Sequence, residues 1–192
     1  MNLFFLLALS LQSHTDFYSD DDDSYNFYMD DDYGSGDNND VAQTRNIENL
    51  RRILFTGYDK NTRPVVDYHD AVRLYYGIEI ASLDYFDQKA ESIEFNINMI
   101  FTWTDEYLNW NTSDYGVEYL SVDKSTIWTP DVELYNAGSQ PVVYDQTGVM
   151  KLYNNGEVLW IRPIRYQFSC KLNLRDFPYD SQTCTMLFGS WK

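Results

Sequence analysis

Cys170 and Cys184 are the only cysteines in this 192-residue chain, and thirteen residues lie between them. That spacing constrains the fold more than any other feature. A bridge between them would close a short local loop with Phe177-Pro178-Tyr179-Asp180 near its tip. By chain-entropy arithmetic, closing such a loop stabilises the fold by roughly 3 kcal/mol against the unfolded state. An immunoglobulin-type sandwich joins cysteines on strands far apart in sequence, around a buried tryptophan. Thirteen intervening residues are too few for that pairing.

The chain is long enough for one domain with a sizeable core. Aromatic residues make up 17% of it, including seventeen Tyr and five Trp, which suits a β-protein with aromatic packing. The formal charge of −16 is unevenly spread. The first forty residues carry ten Asp and no Lys or Arg, so the remainder is only mildly acidic and nucleic-acid binding is not expected. Residues 1–10 form a short apolar run ending in Ala8-Leu9-Ser10, which reads as a signal peptide. The rival is a buried N-terminal strand or helix. The run is too short to span a bilayer, and secretion would supply the oxidising compartment that a structural disulfide needs.

Residues 11–40 read as a disordered acidic segment, because self-repelling sequence of this kind cannot bury enough apolar area to offset chain entropy. Tyr18, Tyr25, Tyr28 and Tyr33 lie among its acids and are candidates for sulfation. The bland alternative is a plain solvated tail. A calcium loop is disfavoured, since the aspartates lack the alternating spacing and the distal Glu.

Folded structure is expected over residues 41–192. Asp40 can cap a helix running to about Phe55, with Val41, Ile47, Leu50 and Leu54 on one face and Gly57 ending it. The period then changes to two. Val72 to Ile80 and Ile93 to Trp103 each read as a strand with one buried face, joined by a loop over Ser82–Asp87. Asn154-Asn155-Gly156 marks a tight hairpin whose Asn-Gly pair accepts positive φ. The strand after it runs to Cys170, and Thr183–Ser190 reads as another. The fold class is mainly β: one N-terminal α-helix, then an antiparallel β-sandwich.

Several segments then fall in a recognisable order. Tyr58-Asp59-Lys60-Asn61-Thr62-Arg63-Pro64-Val65 comes first, then Trp103-Thr104-Asp105-Glu106-Tyr107-Leu108-Asn109-Trp110-Asn111 with Ser113-Asp114-Tyr115-Gly116. Trp128-Thr129-Pro130-Asp131 with Leu134-Tyr135-Asn136, the cysteine pair around Phe177-Pro178-Tyr179-Asp180, and Phe188-Gly189-Ser190-Trp191 complete the series. Together they resemble the extracellular ligand-binding domain of the Cys-loop pentameric ligand-gated ion channels, in the nicotinic acetylcholine receptor branch. The acidic tract before Asp40 has no counterpart in that pattern.

The resemblance implies a site for a small cationic transmitter such as acetylcholine, held between two subunits by aromatic faces. Each well-desolvated cation–π contact is worth about 1–2 kcal/mol. Tyr135 falls at the first aromatic of the principal face and Trp191 at its central tryptophan. The third principal segment of the family falls beyond Lys192. On the complementary face the usual aromatic position holds Asn98, which offers no π face; Leu159 and Ile161 lie on the strand that completes this face, and apolar strand residues are expected in the core. This chain is therefore not expected to act as a complementary partner. Phe177, Pro178 and Asp180 match the tip of the family's coupling loop, with Pro178 often cis in relatives. Asp84 matches a residue of the neighbouring loop, and Tyr85 sits where relatives often carry Glu. Asn111-Thr112-Ser113 is a glycosylation acceptor.

The expected function is the extracellular ligand-binding region of a transmitter-gated channel subunit, present without its pore. In the parent class, ligand closes the principal face, the sheets rotate and the Cys loop passes the change to the pore. The partners implied are a cationic transmitter and other subunits of a pentamer, with the membrane engaged only through sequence beyond this chain. Two alternatives remain: a secreted soluble decoy that associates with receptor subunits, or an inert truncated product. Enzyme chemistry is not expected. His14 and His69 are the only histidines, no zinc-binding or phosphate-binding motif is present, and no cofactor is implied.

Overall fold

A computed structural model describes residues 5–12, 38–144, 148–177 and 179–190. Among the described residues, one strand precedes helix α1 (Asn38–Phe55), and eight strands and one short helix follow it. The strands are β1 (Phe5–Gln12), β2 (Tyr75–Asp87), β3 (Ser92–Thr104), β4 (Tyr119–Asp123), β5 (Val132–Leu134), β6 (Val142–Val143), β7 (Val149–Tyr153), β8 (Glu157–Ser169) and β9 (Ser181–Ser190); α2 is Thr112–Tyr115. Among the described residues the larger sheet runs β2-β3-β8-β7-β4, with β6 also on β8, and the smaller runs β1-β9-β5. All pairings are antiparallel. The expected mainly-β architecture with one N-terminal helix is the one observed.

Strand β3 shows why the sheets pack. Every second residue from Ile93 to Trp103 is buried, and the residues between face outward or are half-buried. Strand β8 pairs with β3 along its full thirteen residues and buries Val158, Trp160, Ile164, Tyr166 and Phe168 on the same side. The Tyr166 ring of β8 meets the Phe188 ring of β9 edge-on at 6.0 Å, joining the two sheets. Phe95 and Phe168 stack at 6.0 Å within the larger one. Trp103 and Trp110 are buried, and the Trp110 indole donates to the Val117 carbonyl at 2.7 Å.

Three local expectations change. Strand β2 does not stop before Ser82. It continues to Asp87 through two register shifts, at Ile80/Ser82 and Leu83/Tyr85. Each irregularity inserts a residue and breaks the alternation, so the sequence there looks like a loop while the ladder persists. The connection between β2 and β3 lies instead at Gln88–Glu91. The Asn-Gly hairpin is also looser than a two-residue turn. Leu152 pairs with Val158, and only Gly156 has positive φ, at 83°. This is the αL position that closes a three-residue loop. The helix starts at Asn38, so Asp40 lies inside its first turn rather than at its cap. Separately, Phe5–Gln12 form β1, which pairs with β9 from Phe5↔Phe188 to Gln12↔Ser181.

A buried polar junction ties the helix end to the sheets. The Tyr58 hydroxyl donates to the fully buried Asp105 carboxylate at 2.5 Å and accepts from the Trp128 amide at 3.1 Å. Asp105 also accepts from the Tyr107 amide, and its own amide donates to Gly156 at 2.8 Å. Burial pushes the Asp105 carboxyl up, while the bonds from Tyr58 and the backbone pull it back part of the way. Tyr58 is pushed up as well, first by burial and then by its bond to Asp105.

Two outcomes follow from this junction. A side chain at Gly156 would collide with the Asp105 carbonyl at a backbone angle that suits glycine. Gly156→Ala should therefore lower unfolding free energy by roughly 1–3 kcal/mol in urea titration. An acid with a raised folded pKa binds more protons when folded, so its contribution is full below the unfolded carboxylate range and is lost as pH rises from there through the folded pKa. The stability of the wild type relative to Asp105→Asn should thus fall as pH rises above the unfolded carboxylate value of about 4. A difference that is flat or rises with pH would refute the assignment.

Candidate functional site

The end of β5 and the end of β9 form a built corner. Glu133 and Leu134 of β5 pair with Gly189 and Phe188. Where β5 stops, side chains take over the ladder. The Tyr135 amide donates to the Leu187 carbonyl at 2.8 Å. The Asn136 side chain accepts from the Leu187 amide at 3.0 Å and donates to the Thr185 carbonyl at 2.8 Å, as a further strand residue would. Tyr135 lays its ring over Gly189, where a Cβ would lie 2.8 Å from the ring. Its hydroxyl donates to the Ser190 carbonyl at 2.6 Å, and the Ser190 hydroxyl donates to Asp131 at 2.5 Å. Tyr135 is therefore half-buried, with its ring against Gly189 and its hydroxyl bonded to the Ser190 carbonyl.

Trp191 follows Ser190 in the chain and lies outside the described residues, as do Pro178, Tyr18, Tyr25, Tyr28 and Tyr33. The supports of Tyr135, namely Asp131, Asn136, Gly189 and Ser190, went unassigned in the sequence reading although each lies within the quoted motifs. Hydrogen bonding across two strands is what reveals them.

The opposite face of the molecule departs from expectation. Leu159 and Ile161 are not core residues: Ile161 is 48% exposed and Leu159 half-buried. They point outward because Val158 and Trp160 occupy the inner positions of the same strand. Ile161 pairs with Ile100, and Pro163 with Asn98. The Asn98 amide donates to Glu79 at 3.1 Å, so this patch presents a polar group and small apolar surfaces.

At the far end, Cys170 and Cys184 are bridged, with Cα atoms 5.3 Å apart. The loop is folded around Gln182, a buried polar residue that sequence reasoning missed. Gln182 accepts from the Asn173 amide at 2.9 Å, donates to the Asn173 carbonyl at 2.9 Å and also donates to Asp180. Phe177 is 62% exposed and Tyr179 91% exposed, so the tip projects away from the body. Asp84 is not in a neighbouring loop. It lies in β2, where its carboxylate accepts from Ser82 at 2.6 Å and Asn96 at 2.6 Å. Tyr85 is a strand residue as well, and its hydroxyl donates to Asp87.

Asn111 is exposed and precedes α2 with extended backbone, φ −88° and ψ 122°. Its side-chain oxygen accepts from the Ser113 amide at 3.0 Å, leaving the amide nitrogen directed away from that bond. Among the described residues no cluster suits a metal ion, and no helix is long and apolar enough to cross a membrane.

Comparison with known proteins matches residues 47–192 to the neurotransmitter-gated ion-channel ligand binding domain. The chain is 37% identical over 155 residues to the neuronal acetylcholine receptor subunit beta-3 of Homo sapiens, covering 80% of this chain and 33% of that protein. It is 39% identical over 154 residues to subunit alpha-3 of Bos taurus, covering 79% and 31%. For the acetylcholine receptor subunit beta-like 1 of Drosophila melanogaster the figures are 36% over 154 residues, 79% and 29%. The chain thus spans about a third of the length of these relatives.

The corner makes a measurable demand. Gly189→Ala should cost about 1–3 kcal/mol of stability by overpacking against the Tyr135 ring. At least half of that cost should vanish in a Tyr135→Ala background, since the two sites share one contact. Additive costs in the double mutant would show that the ring does not rest on this glycine.

Proposed function

Because the chain belongs to the neurotransmitter-gated ion-channel ligand-binding-domain family, we propose that Tyr135 and Trp191 supply the principal face of a site for a small quaternary or protonated amine. The domain is of the acetylcholine-receptor-like type. The observation that carries the reading is the Tyr135 ring, pinned between Gly189 and the Ser190 carbonyl, one residue from Trp191. A ring held in this way is preorganised, so little rotamer entropy is lost when a cation docks on it.

The supply of a second wall falls to another subunit. Asn98 engages Glu79 and has no quadrupole to offer, so two copies of this chain make a poorer site than this chain beside a neighbour with an aromatic at that position. In the assembled channel, capture of the cation shifts an equilibrium between two arrangements of the sheets. The disulfide loop, with Phe177 and Tyr179 projecting, is the contact that passes this shift toward the pore. This places the domain on the extracellular face, reached by the secretory route. Residues 1–10 then serve as the leader, and their removal takes most of β1 and bares the edge of β9 over Thr183–Phe188. That edge is a ready template for another strand. Asn111 carries a glycan in this setting, its Asx-type turn holding the acceptor on the surface.

Acetylcholine titrated into the secreted chain, mixed with an extracellular domain that bears the complementary aromatic, tests the proposal by calorimetry. Tyr135→Ala and Trp191→Ala should each weaken binding by about ten- to thirtyfold, the equivalent of one cation–π wall. Binding that survives both substitutions, or no binding in any mixture, would overturn it.

A further inference from the structure

Glu91 is the one non-glycine residue with positive φ among the described residues, at 49°. It ends the β2–β3 connection, a turn already shaped by Asp87, whose carboxylate accepts from the Lys89 amide at 2.8 Å and the Ala90 amide at 2.9 Å. The left-handed angle costs a non-glycine residue about 1–2 kcal/mol and persists only where surrounding contacts hold it. Here those contacts come from the disulfide loop. The Glu91 carbonyl accepts from the Cys170 amide at 2.8 Å, and its carboxylate accepts from the Leu172 amide at 3.4 Å, across 81 residues of sequence. One residue thus binds both the bridged cysteine and the first turn of the loop beyond it.

We propose that Glu91 is a positioning residue that clasps the β2–β3 turn to the root of the Cys170–Cys184 loop, so that the two move as one body. The disulfide fixes one side of the root covalently, Gln182 organises the interior, and Glu91 joins the whole to the larger sheet through β3. Without the clasp, β8, β9 and the disulfide still hold the root of the loop, but the segment beyond Cys170 loses its tie to the β2–β3 turn. The consequence for signalling rests on the disulfide loop being the output contact, whereas the clasp itself is a property of this chain and is tested without ligand.

The test compares amide hydrogen exchange at Leu172 with that at Ile97, in the middle of β3, for the wild type, Glu91→Gly and Glu91→Gln. Glycine accepts the backbone angle at no steric cost and keeps the carbonyl, so global stability should hold or rise. Leu172 exchange relative to Ile97 should nevertheless quicken by about tenfold, because local opening there loses an anchor. Tryptic cleavage after Arg175 should quicken with it. Glu91→Gln keeps an acceptor and should hold the ratio within about twofold of the wild type. An unchanged ratio in Glu91→Gly, an equal rise at both amides, or loss of protection in Glu91→Gln to the same degree as in glycine would overturn the clasp.

Discussion

The full-length pairing of β3 with β8, and the aromatic layer those two strands share, is the constraint on which everything else depends. Their inward residues, Phe95, Phe101, Trp103, Trp160, Tyr166 and Phe168, are buried together and meet the smaller sheet through Phe188. Each such side chain contributes about 1.5–3 kcal/mol on burial. Edge-to-face contacts such as Tyr166–Phe188 add roughly another 0.5–1.5 kcal/mol each. The corner at Tyr135 and the disulfide loop are positioned because β9 must lie across this layer.

The two ends of the sandwich are specialised by polar chemistry rather than by packing. At one end, β5 has only three residues, so Tyr135 and Asn136 substitute for a ladder and seat a half-buried ring on Gly189. At the other, a bridged loop folds around one buried amide, Gln182, and projects Phe177 and Tyr179 outward. Between them, the Tyr58–Asp105–Trp128 junction fixes the loop that leads into β5. A buried carboxylate is costly unless it is hydrogen-bonded. Asp105 meets that condition with the Tyr58 hydroxyl and the Tyr107 amide, and Tyr58 in turn accepts from the Trp128 amide.

Much of this was open to reading because the sequence signals were local. The alternation from Ile93 to Trp103 belongs to one strand and needs no knowledge of its partner. The two cysteines admitted a single pairing, and that bridge is present. The ordered motifs from Tyr58 to Trp191 pointed to the family that comparison bears out over residues 47–192. Beyond the hairpin length and the helix start, the misreadings were cooperative. Asp84 was misplaced because two register shifts interrupt the alternation of β2 while its ladder to β3 goes on. Ile161 was assigned to the core because hydrophobicity does not say which face of a strand wins; the larger Trp160 beside it took the interior. Gln182 and Glu91 gave no signal, since an amide or a carboxylate becomes structural only once two distant segments meet.

By itself, then, the sequence determined the class of fold, the strands with unbroken periodicity, the local disulfide loop and the motif around Tyr135. These depend on spacing within a segment, which is written in the order of residues. Tertiary structure alone decided which face each strand buries, where β2 ends, how Tyr135 is seated on Gly189 and how Glu91 meets the loop 81 residues away. Those outcomes depend on register and on hydrogen bonds between strands, and such contacts exist only when the sheets have closed on their shared core.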